Sequence, residues 1–348
     1  MNKEEFDKAV NLIRRNTDEI IGEEELFGML KADRKPVIYW GTAPTGRPHV
    51  GYFFPMLKIA DLLKAGCKVK VLLADLHAAL DNTPWEVLDY RYEYYSKTIK
   101  YLIESIGVDT KDLDFVKGSD FQLKRAYVFD VLKMSSFSSL RDAKRAAAEV
   151  VKNMEGDKAK LSGLIYPIMQ NCDEVYLESD AQLGGTDQRN TMVLARENLP
   201  KLGYKPRTEI IHKLIPGLIG EKMSSSVEGG KIDLLDDEET VKKKMKKAEC
   251  EEGKTNNGIL PFVKYVLMTI KKDKQEKLVV KRPEKFGGNI EYEDYESLEK
   301  DFVEKKLHPL DLKNAVSEEI NKILFHIRKH KEELEEISKR AYPQKNDG

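Results

Sequence analysis

The sequence has few cysteines and no long apolar run, and each absence excludes a class of protein. The three cysteines, Cys67, Cys172 and Cys250, stand apart and form no CxxC pair. A disulfide scaffold or a structural zinc site is therefore not expected, and a reducing compartment is. No stretch reaches the ~18 consecutive apolar residues of a membrane-spanning helix. Because the N-terminus MNKEEFDKAV also lacks the apolar core of a signal peptide, we expect a cytoplasmic protein without a membrane partner.

The charge is balanced over the whole chain but not locally. Lys and Arg number 59 and Asp and Glu number 60, which gives a net charge of −1. Residues 241–290, however, hold 14 Lys and Arg against 6 Asp and Glu. The densest part, Val241–Lys247, predicts a helix with one strongly cationic side. Such a run is usually a solvated surface, and the alternative is contact with a polyanion.

The order of apolar runs predicts an α/β protein of about two domains, since the chain has 348 residues. Helical stretches, among them Val50–Lys64, separate the runs, which predicts a parallel sheet with crossover helices. Residues 120–174 look mostly helical, as does the chain after residue 231 apart from a strand at Leu278–Lys281. Strands are predicted at Val37–Gly41, Lys68–Ala74, Leu113–Lys117, Val175–Ala181 and Arg207–His212.

The turn after the first predicted strand has the character of an anion site. It reads Gly41-Thr-Ala-Pro-Thr-Gly-Arg-Pro-His-Val-Gly-Tyr52, which fails the P-loop pattern because Arg and Pro replace its Lys and hydroxyl residue. What remains is His49-x-Gly51 at a helix start, where free N–H groups and the helix dipole attract an anion. The alternative is a histidine that only caps the helix.

A second candidate element is the loop Glu221-Lys-Met-Ser-Ser-Ser226, which follows two glycines. A lysine among hydroxyl side chains on such a loop could close over a polyphosphate as negative charge develops in a transition state. A serine-rich loop of this kind is otherwise a linker.

Together the two elements resemble the HIGH and KMSKS signatures of class I aminoacyl-tRNA synthetases. Within that class the sequence is similar to the tyrosyl-tRNA synthetases of archaeal and eukaryotic-cytoplasmic type. Tyr52 replaces the second His of the first signature, and Ser225 replaces the second Lys of the other. Supporting segments are Ala74-Asp-Leu-His77, Tyr166-Pro-Ile-Met-Gln170, Asp180-Ala-Gln-Leu-Gly-Gly-Thr-Asp-Gln-Arg189, Arg282-Pro-Glu-Lys-Phe-Gly-Gly288 and His308-Pro-Leu-Asp-Leu-Lys-Asn314.

The resemblance implies a tyrosine pocket. Tyr39 and Asp173 match the partners of the phenol hydroxyl, whereas Tyr166, Gln170 and Gln188 match the ligands of the substrate ammonium. The spacing of Tyr166, Gln170 and Asp173 lets one helix face present all three. Without the resemblance, that stripe reads as a polar patch on a buried helix.

The resemblance also implies an ATP site, with ATP as a substrate and Mg²⁺ accompanying the pyrophosphate without a carboxylate cage in the protein. Thr45 and His49 match phosphate contacts, and Asp187 matches the ribose ligand. Lys222, Ser224 and Ser225 are expected to act on the leaving pyrophosphate. His77 borders the pocket, with packing and function both open. The remaining implied ATP contacts are Gly41, Gly51, Gly185 and Met223.

For tRNA, the resemblance assigns Phe286 and His308 to an anticodon base and Asp311 to its Watson–Crick edge. Arg145 and Arg189 match positions that read the first acceptor base pair. Without the resemblance, Phe286 and His308 read as a core residue and a turn residue. The basic segment 241–290 would then supply contacts to tRNA phosphates.

The fold implied is a Rossmann-like catalytic domain at 35–228, with a helical insertion at about 120–165 that forms a homodimer interface. An N-terminal helical segment at 1–34 precedes it, and a mainly helical anticodon-binding domain follows at 229–348. The implied reaction joins tyrosine to AMP from ATP and then to tRNA.

Three other functions stay open. A tryptophanyl enzyme shares the signatures, although an indole needs no second hydroxyl partner such as Tyr39. A generic nucleotidyltransferase uses a similar His motif without an anticodon module. A non-catalytic RNA-binding relative would have no need of His49, Lys222 and Asp173.

Overall fold

The structure, a computed structural model, describes residues 2–148, 160–218 and 231–343. The strands are β1 Thr17–Ile21, β2 Val37–Thr42, β3 Lys68–Leu73, β4 Leu113–Lys117, β5 Ala181–Gly185, β6 Thr208–His212, β7 Leu278–Val280 and β8 Ile290–Tyr292. The helices are α1 Lys3–Arg14, α2 Glu23–Lys31, α3 Phe53–Lys64, α4 Asp75–Leu80, α5 Leu88–Ser105, α6 Ser119–Gln122, α7 Arg125–Phe137, α8 Leu140–Ala147, α9 Leu161–Tyr176, α10 Arg189–Asn198, α11 Glu238–Lys247, α12 Ile259–Phe262, α13 Met268–Lys274, α14 Tyr295–Val303, α15 Pro309–Arg328 and α16 Lys331–Ala341.

Six strands form the central sheet in the order β1-β6-β5-β2-β3-β4. Neighbours from β6 to β4 pair in parallel, and β1 pairs antiparallel with β6 at the edge. The prediction of a mainly parallel α/β sheet is therefore confirmed. The chain runs outward from β2 to β4 and then returns on the other side of β2 at β5. This reversal creates a crevice at the carboxyl ends of β2 and β5, where open α/β sheets bind ligands.

Local sequence explains most of these elements. Burial of β5 and β6 along their whole length fits strands in a sheet covered on both faces. Helix α3 ends at Lys64, and Gly66 then takes a φ of 86°, which is the left-handed conformation that glycine supplies after a helix. The predicted helix at Val50–Lys64 is confirmed, apart from a 3₁₀ first turn at Val50–Tyr52.

Three predictions about elements were wrong. Val175 belongs to α9, which runs to Tyr176, and the next strand begins only at Ala181. The apolar residues there are the buried side of a helix end rather than the start of a strand. The segment 1–34 is not purely helical, because it contains β1. The charged residues Asp18 and Glu19 interrupt the apolar pattern of this short edge strand, so the sequence did not indicate it. The small strand β8, which pairs antiparallel with β7, was also missed.

The helices after residue 231 rest on α5. Helix α5 packs against α15 and α16, the ring of Tyr101 stacks on His330 with centroids 3.7 Å apart, and Lys97 pairs with Glu333. Buried apolar side chains form one continuous cluster through both parts. Among the helices of the described ranges, none combines the length and apolar character needed to cross a bilayer.

Candidate active site

A cavity of about 350 Å³ opens at the carboxyl ends of β2 and β5. It joins the two groups of residues that the sequence predicted separately, the histidine turn after β2 and the polar stripe on α9. An enclosed cleft with a few convergent polar groups is the usual form of a small-molecule site. Of the predicted residues it is lined by Tyr39, Gly41, His49, Gly51, His77, Tyr166, Gln170, Asp173, Gly185, Asp187 and Gln188.

The closed end of the cavity holds three buried polar side chains from three elements. Tyr39 comes from β2, His77 from α4 and Asp173 from α9, and each is at most 2% exposed. Among the described residues, the Tyr39 hydroxyl, His77 Nε2 and Asp173 Oδ2 have no hydrogen-bond partner. His77 Nε2 lies 3.8 Å from Asp173 Oδ2. Buried polar atoms are nearly always paired in native proteins, so this end suits a ligand with its own donor and acceptor.

Burial sets the protonation of these groups. It raises the pKa of Asp173 to about 7, opposed by hydrogen bonds from Gln122 and Tyr127. Burial also lowers the pKa of His77 to about 4. The pKa of Tyr39 is raised well above its usual value, first by burial and then by nearby carboxylates. At neutral pH the site therefore presents a neutral hydroxyl, a neutral imidazole and a carboxyl group that is near its titration point.

Two residues at this end were missed by the sequence analysis. Gln122 ends α6, and its Nε2 donates to Asp173 Oδ1 at 2.8 Å. The hydroxyl of Tyr127, on α7, lies 2.8 Å from the same oxygen. Gln122 could have been suspected because α6 follows the carboxyl end of a parallel strand, where ligand contacts collect. Nothing in the sequence marks Tyr127, since its contact depends on how α7 packs.

The middle of the cavity carries the predicted ammonium ligands. Gln170 donates from Nε2 to Gln188 Oε1 at 3.0 Å, which joins α9 to the turn after β5. Tyr166 packs edge-on against His77, with centroids 4.5 Å apart. Tyr166, Gln170 and Asp173 all line the cavity from α9, so one helix face presents them as the spacing predicted.

The opposite wall is built by the histidine turn. His49 caps the 3₁₀ turn, and its Nδ1 accepts from the Gly51 N–H at 3.1 Å, which leaves the ring proton on Nε2. Burial, with a smaller effect of Lys231, lowers the pKa of His49 to about 4. Tyr52, in place of a second histidine, packs edge-on against His49 at 5.5 Å, and its hydroxyl lies 3.2 Å from that of Thr42. The turn therefore offers a neutral N–H donor.

The glycine turn after β5 is closely packed. A Cβ at Gly185 would lie 2.6 Å from Asp187 Oδ1, so only glycine allows the Asp187 carboxylate this position. Thr45 behaves differently from the other predicted ATP residues. It is not among the residues that line the cavity, and its carbonyl accepts a hydrogen bond from Arg91.

Comparison with known proteins gives the family. Residues 31–325 match the family model described as tRNA synthetases class I (W and Y). The chain belongs to this family. It is similar to the cytoplasmic tyrosine–tRNA ligase of Danio rerio, at 52% identity over 98% of this chain, but it spans only 65% of that protein. It is also similar to the cytoplasmic tyrosine–tRNA ligase of Saccharomyces cerevisiae, at 47% identity over 97% of this chain and 88% of that protein.

A solved structure agrees with this. The Archaeoglobus fulgidus tyrosyl-tRNA synthetase, solved in complex with L-tyrosine, matches with a TM-score of 0.84 and 39% identity, covering 93% of this chain and 99% of that one. The resemblance to class I synthetases of the tyrosyl type that the two signatures predicted is thereby confirmed, as is the Rossmann-like fold class. The predicted site residues of the second signature, Lys222, Met223, Ser224 and Ser225, lie outside the described residues.

The predicted anticodon contacts lie on two turns of the C-terminal helical part. Phe286 is 60% exposed, which excludes the alternative of a core residue. His308 caps α15 by accepting from the Leu310 N–H at 3.1 Å, and Asp311 follows in the first turn of that helix. Arg282 donates to the carbonyls of Gly288 and Lys306, each at 3.0 Å, and so ties the two turns together.

The predicted acceptor-stem residues lie on helices beside the sheet. Arg189 begins α10 and pairs with Glu19 through two bonds of 2.6 and 3.0 Å. Arg145 lies on α8, 4.0 Å from Asp142. In α11 the apolar Val241 and Met245 are buried whereas most of the lysines are exposed, so the cationic helix face predicted from the charge run is present.

Metal ligation by the synthetase itself was not predicted. Within residues 2–148, 160–218 and 231–343, no group of three or more His, Cys, Asp or Glu side chains is arranged to hold a metal ion.

Proposed function

We propose that this protein is a tyrosine–tRNA ligase that uses ATP to activate L-tyrosine and transfers it to the 3′-terminal ribose of tRNA. The observation that carries the proposal is the closed end of the cavity, where the Tyr39 hydroxyl and Asp173 Oδ2 are buried and unpartnered among the described residues. A phenol hydroxyl matches this pair, because it donates one hydrogen bond and accepts another.

The same pair supports tyrosine over its competitors. Phenylalanine would leave both buried groups unpaired, which by analogy with such sites reduces its use by roughly 10⁴–10⁵. Tryptophan would bring an indole N–H, which donates but does not accept. It could satisfy Asp173 but not the hydroxyl of Tyr39. The tryptophanyl alternative is therefore disfavoured by Tyr39.

The other cavity residues fit the rest of an activated tyrosine. Tyr166, Gln170 and Gln188 hold the ammonium group. His49 donates from Nε2 to an ATP phosphate oxygen, and Asp187 binds the ribose. Gly41, Gly51 and Gly185 let the nucleotide approach the backbone. Thr45 contacts the ATP phosphates from the loop after β2. Lys222, Ser224 and Ser225, with Met223 beside them, act on the pyrophosphate that leaves.

The proposed chemistry has two steps without a covalent enzyme intermediate. The tyrosine carboxylate attacks the α-phosphorus of ATP, the bond to the bridging oxygen of the β-phosphate breaks, and pyrophosphate leaves, with Mg²⁺ bound to it as part of the substrate. A ribose hydroxyl of tRNA then attacks the acyl carbon and AMP leaves. Positioning of the reactants and stabilisation of the developing charge provide the rate enhancement.

We also propose the tRNA contacts that the resemblance implied. Phe286 and His308 hold an anticodon base and Asp311 accepts from its edge, and the Arg282 bonds between the two turns support this arrangement. Arg145 and Arg189 contact the acceptor end. Arg189 would have to leave Glu19 or reach the RNA from that pair. The lysines of α11 and the rest of 241–290 contact phosphates, which sets a salt-dependent part of the affinity.

The proposed assembly is a cytoplasmic homodimer. Large exposed apolar patches on a monomer usually mark an interface, and several exposed apolar side chains lie in the described part of the insertion at about 120–165. The division into 1–34, 35–228 and 229–348 remains part of the proposal, with β1 of the first segment joined to the sheet of the second. The exposed apolar side chains in and beside the insertion are Leu123, Val128, Phe129, Leu132, Leu140 and Leu161.

Exchange of labelled pyrophosphate into ATP tests the proposed function. We expect exchange that depends on tyrosine and needs no tRNA. Exchange supported by tryptophan would replace the proposal with the tryptophanyl enzyme. No exchange with any amino acid would favour a non-catalytic RNA-binding protein, and exchange with another acid would indicate a different nucleotidyltransferase.

A further inference from the structure

The two carboxylate oxygens of Asp173 have different surroundings. Oδ1 lies 2.8 Å from Gln122 Nε2 and 2.8 Å from the hydroxyl of Tyr127. Oδ2 has no hydrogen-bond partner among the described residues and faces the cavity end shared with Tyr39 and His77. One oxygen is therefore fixed by the protein, while the other is left for the substrate.

The proton of Tyr127 has two possible acceptors. Its hydroxyl lies 2.8 Å from Asp173 Oδ1 and also 2.8 Å from the Met169 carbonyl. A hydroxyl has one proton to donate, and a carboxylate is the stronger acceptor because hydrogen bonds to a charged group are stronger. A bond from Tyr127 to Oδ1 therefore stabilises the ionised form of Asp173.

The amide of Gln122 reaches a second member of the site. Its Nε2 lies 3.4 Å from His77 Nδ1 as well as 2.8 Å from Asp173 Oδ1, and an amide nitrogen carries two protons. Donation to Nδ1 leaves the imidazole proton on Nε2, the nitrogen 3.8 Å from Asp173 Oδ2. Gly118 makes room for this amide, because a Cβ there would lie 2.6 Å from Gln122 Oε1.

We propose that Gln122 and Tyr127 are positioning residues that make this site specific for a phenol hydroxyl. Together they hold Asp173 as a hydrogen-bond acceptor with Oδ2 turned to the substrate, and Gln122 also fixes the tautomer of His77 so that its N–H faces the same point. This inference rests on the proposed tyrosine activation and extends it to residues that do not touch the amino acid.

The other groups around Asp173 cannot take over this role. In the part of the chain that the structure describes, no Lys or Arg side chain lies within 4.0 Å of the carboxylate. Its other neighbours are neutral or acidic, and burial alone favours the protonated acid, which would donate rather than accept. The titratable groups that face Asp173 are Tyr39 from β2, His77 from α4, Tyr127 from α7, and Tyr166, Cys172 and Glu174 from α9.

The pH dependence of tyrosine activation tests the proposal in Tyr127→Phe and Gln122→Met. We expect kcat/KM for tyrosine in pyrophosphate exchange to fall on the acid side as Asp173 takes up a proton. Each variant removes a bond to the ionised form, so this acid limb should move to higher pH by about one unit. The preference for tyrosine over phenylalanine should fall about tenfold, and the KM for ATP should not change.

Tyr176→Phe is the matched control. Tyr176 packs edge-on against Tyr127 at 5.0 Å, but its hydroxyl donates to Asp130 rather than Asp173. The control should keep the wild-type pH profile. As a readout independent of activity, the ¹⁵N shifts of His77 should report a proton on Nε2 in the wild type and a changed tautomer ratio in Gln122→Met.

The results distinguish a failure of the positioning role from a failure of the proposed function. An acid limb that stays in place in both variants, or an equal loss of activity at every pH, would refute the positioning role, since a folding defect lowers the rate without moving the limb. A wild-type protein with no tyrosine-dependent exchange at any pH would instead refute the proposed function on which this role rests.

Discussion

Arg91 donates from Nη1 to the carbonyl of Thr45, and so fixes the loop after β2 from the side of α5. The same guanidinium donates from Nε to the Ala341 carbonyl at 3.0 Å and lies over the ring of Tyr342 at 4.5 Å. One side chain thus connects the loop after β2 with the end of α16. Thr45 itself is not among the residues that line the cavity, but its loop joins β2 to His49, which is.

Replacing Arg91 with Ala should therefore weaken ATP binding more than tyrosine binding. We expect the KM for ATP in pyrophosphate exchange to rise about tenfold and the free energy of unfolding to fall by about 1–3 kcal/mol, because several carbonyls lose their donor. Arg14→Ala, which removes an exposed pair with Glu23, should cost less than about 1 kcal/mol. Equal changes in the KM for ATP and the KM for tyrosine would show that Arg91 does not act through the Thr45 loop.

Asp173→Asn should impair tyrosine activation while leaving the fold intact. The amide has nearly the same shape but cannot serve as a charged acceptor for a phenol proton, so we expect the KM for tyrosine to rise by at least about tenfold, as for a lost bond to a charged group. Exchange kinetics measure this, with the KM for ATP as the internal control. Unchanged tyrosine kinetics in this variant and in Asp173→Ala would remove the residue from the substrate pocket.

The burial of Glu174 should make the stability of the protein fall as the pH rises. Burial raises its pKa above the ordinary carboxyl value, despite the opposing charges of Arg207 and Arg196, and the pKa of the neighbouring Glu209 is raised by burial and by the charge of Glu174. The folded state then holds a proton that the unfolded state releases above about pH 4.5, so the contribution of Glu174 to stability is largest at low pH and is lost as the pH rises through the raised pKa of the folded state.

In Glu174→Gln this loss should be absent. Relative to the variant, the free energy of unfolding of the wild type should fall by on the order of 1 kcal/mol per pH unit between pH 5 and 8, as measured by denaturant unfolding. Glu197→Gln, on the exposed side of α10, should change stability by less than about 0.5 kcal/mol. A difference between wild type and Glu174→Gln that does not vary with pH would show that Glu174 is ionised in the folded protein.

Asp311→Ala should separate the two steps of the proposed reaction. We expect aminoacylation of tRNA to weaken by about tenfold, in line with about 1–3 kcal/mol for a lost base contact, while pyrophosphate exchange stays near the wild-type rate. Glu318→Ala on the same helix, where it pairs with Lys281, is the control for general effects on α15. Equal losses in both reactions would indicate a folding defect instead.

The exposed apolar side chains of α7 predict the oligomeric state. Phe129→Glu together with Leu132→Lys should convert a dimer to a monomer in sedimentation or light scattering, because both side chains are more than half exposed and charges at a buried interface are costly. Phe325→Glu, equally exposed on α15, should leave the dimer intact. A dimer that survives the α7 double change would place the interface elsewhere.

The sequence predicted the elements that neighbouring residues determine, and it did not predict those that depend on contacts between distant segments. Strands β2, β3 and β4 are apolar runs with clear turns, so the sheet edge that carries His49 could be predicted from the sequence. The stripe on α9 precedes β5, and its place in the cleft depends on how α9 packs. Strand β1 carries charges and joins the sheet by pairing with β6, a long-range contact that the sequence does not display. Tyr127 reaches Asp173 only through the packing of α7 on α9, and no spacing along the chain encodes that contact.

The position of α5 limits where the chain can be cut to make a shorter fragment. This helix has 18 residues and so is about 27 Å long. Its Arg91 contacts the loop after β2 at Thr45, and its Tyr101 stacks on His330. A fragment that stopped before the C-terminal helices would expose the side of α5 that they cover and would release one anchor of Arg91. A minimal catalytic fragment made by cutting near residue 230 should therefore aggregate or lose affinity for ATP, even with every residue of the amino acid pocket retained.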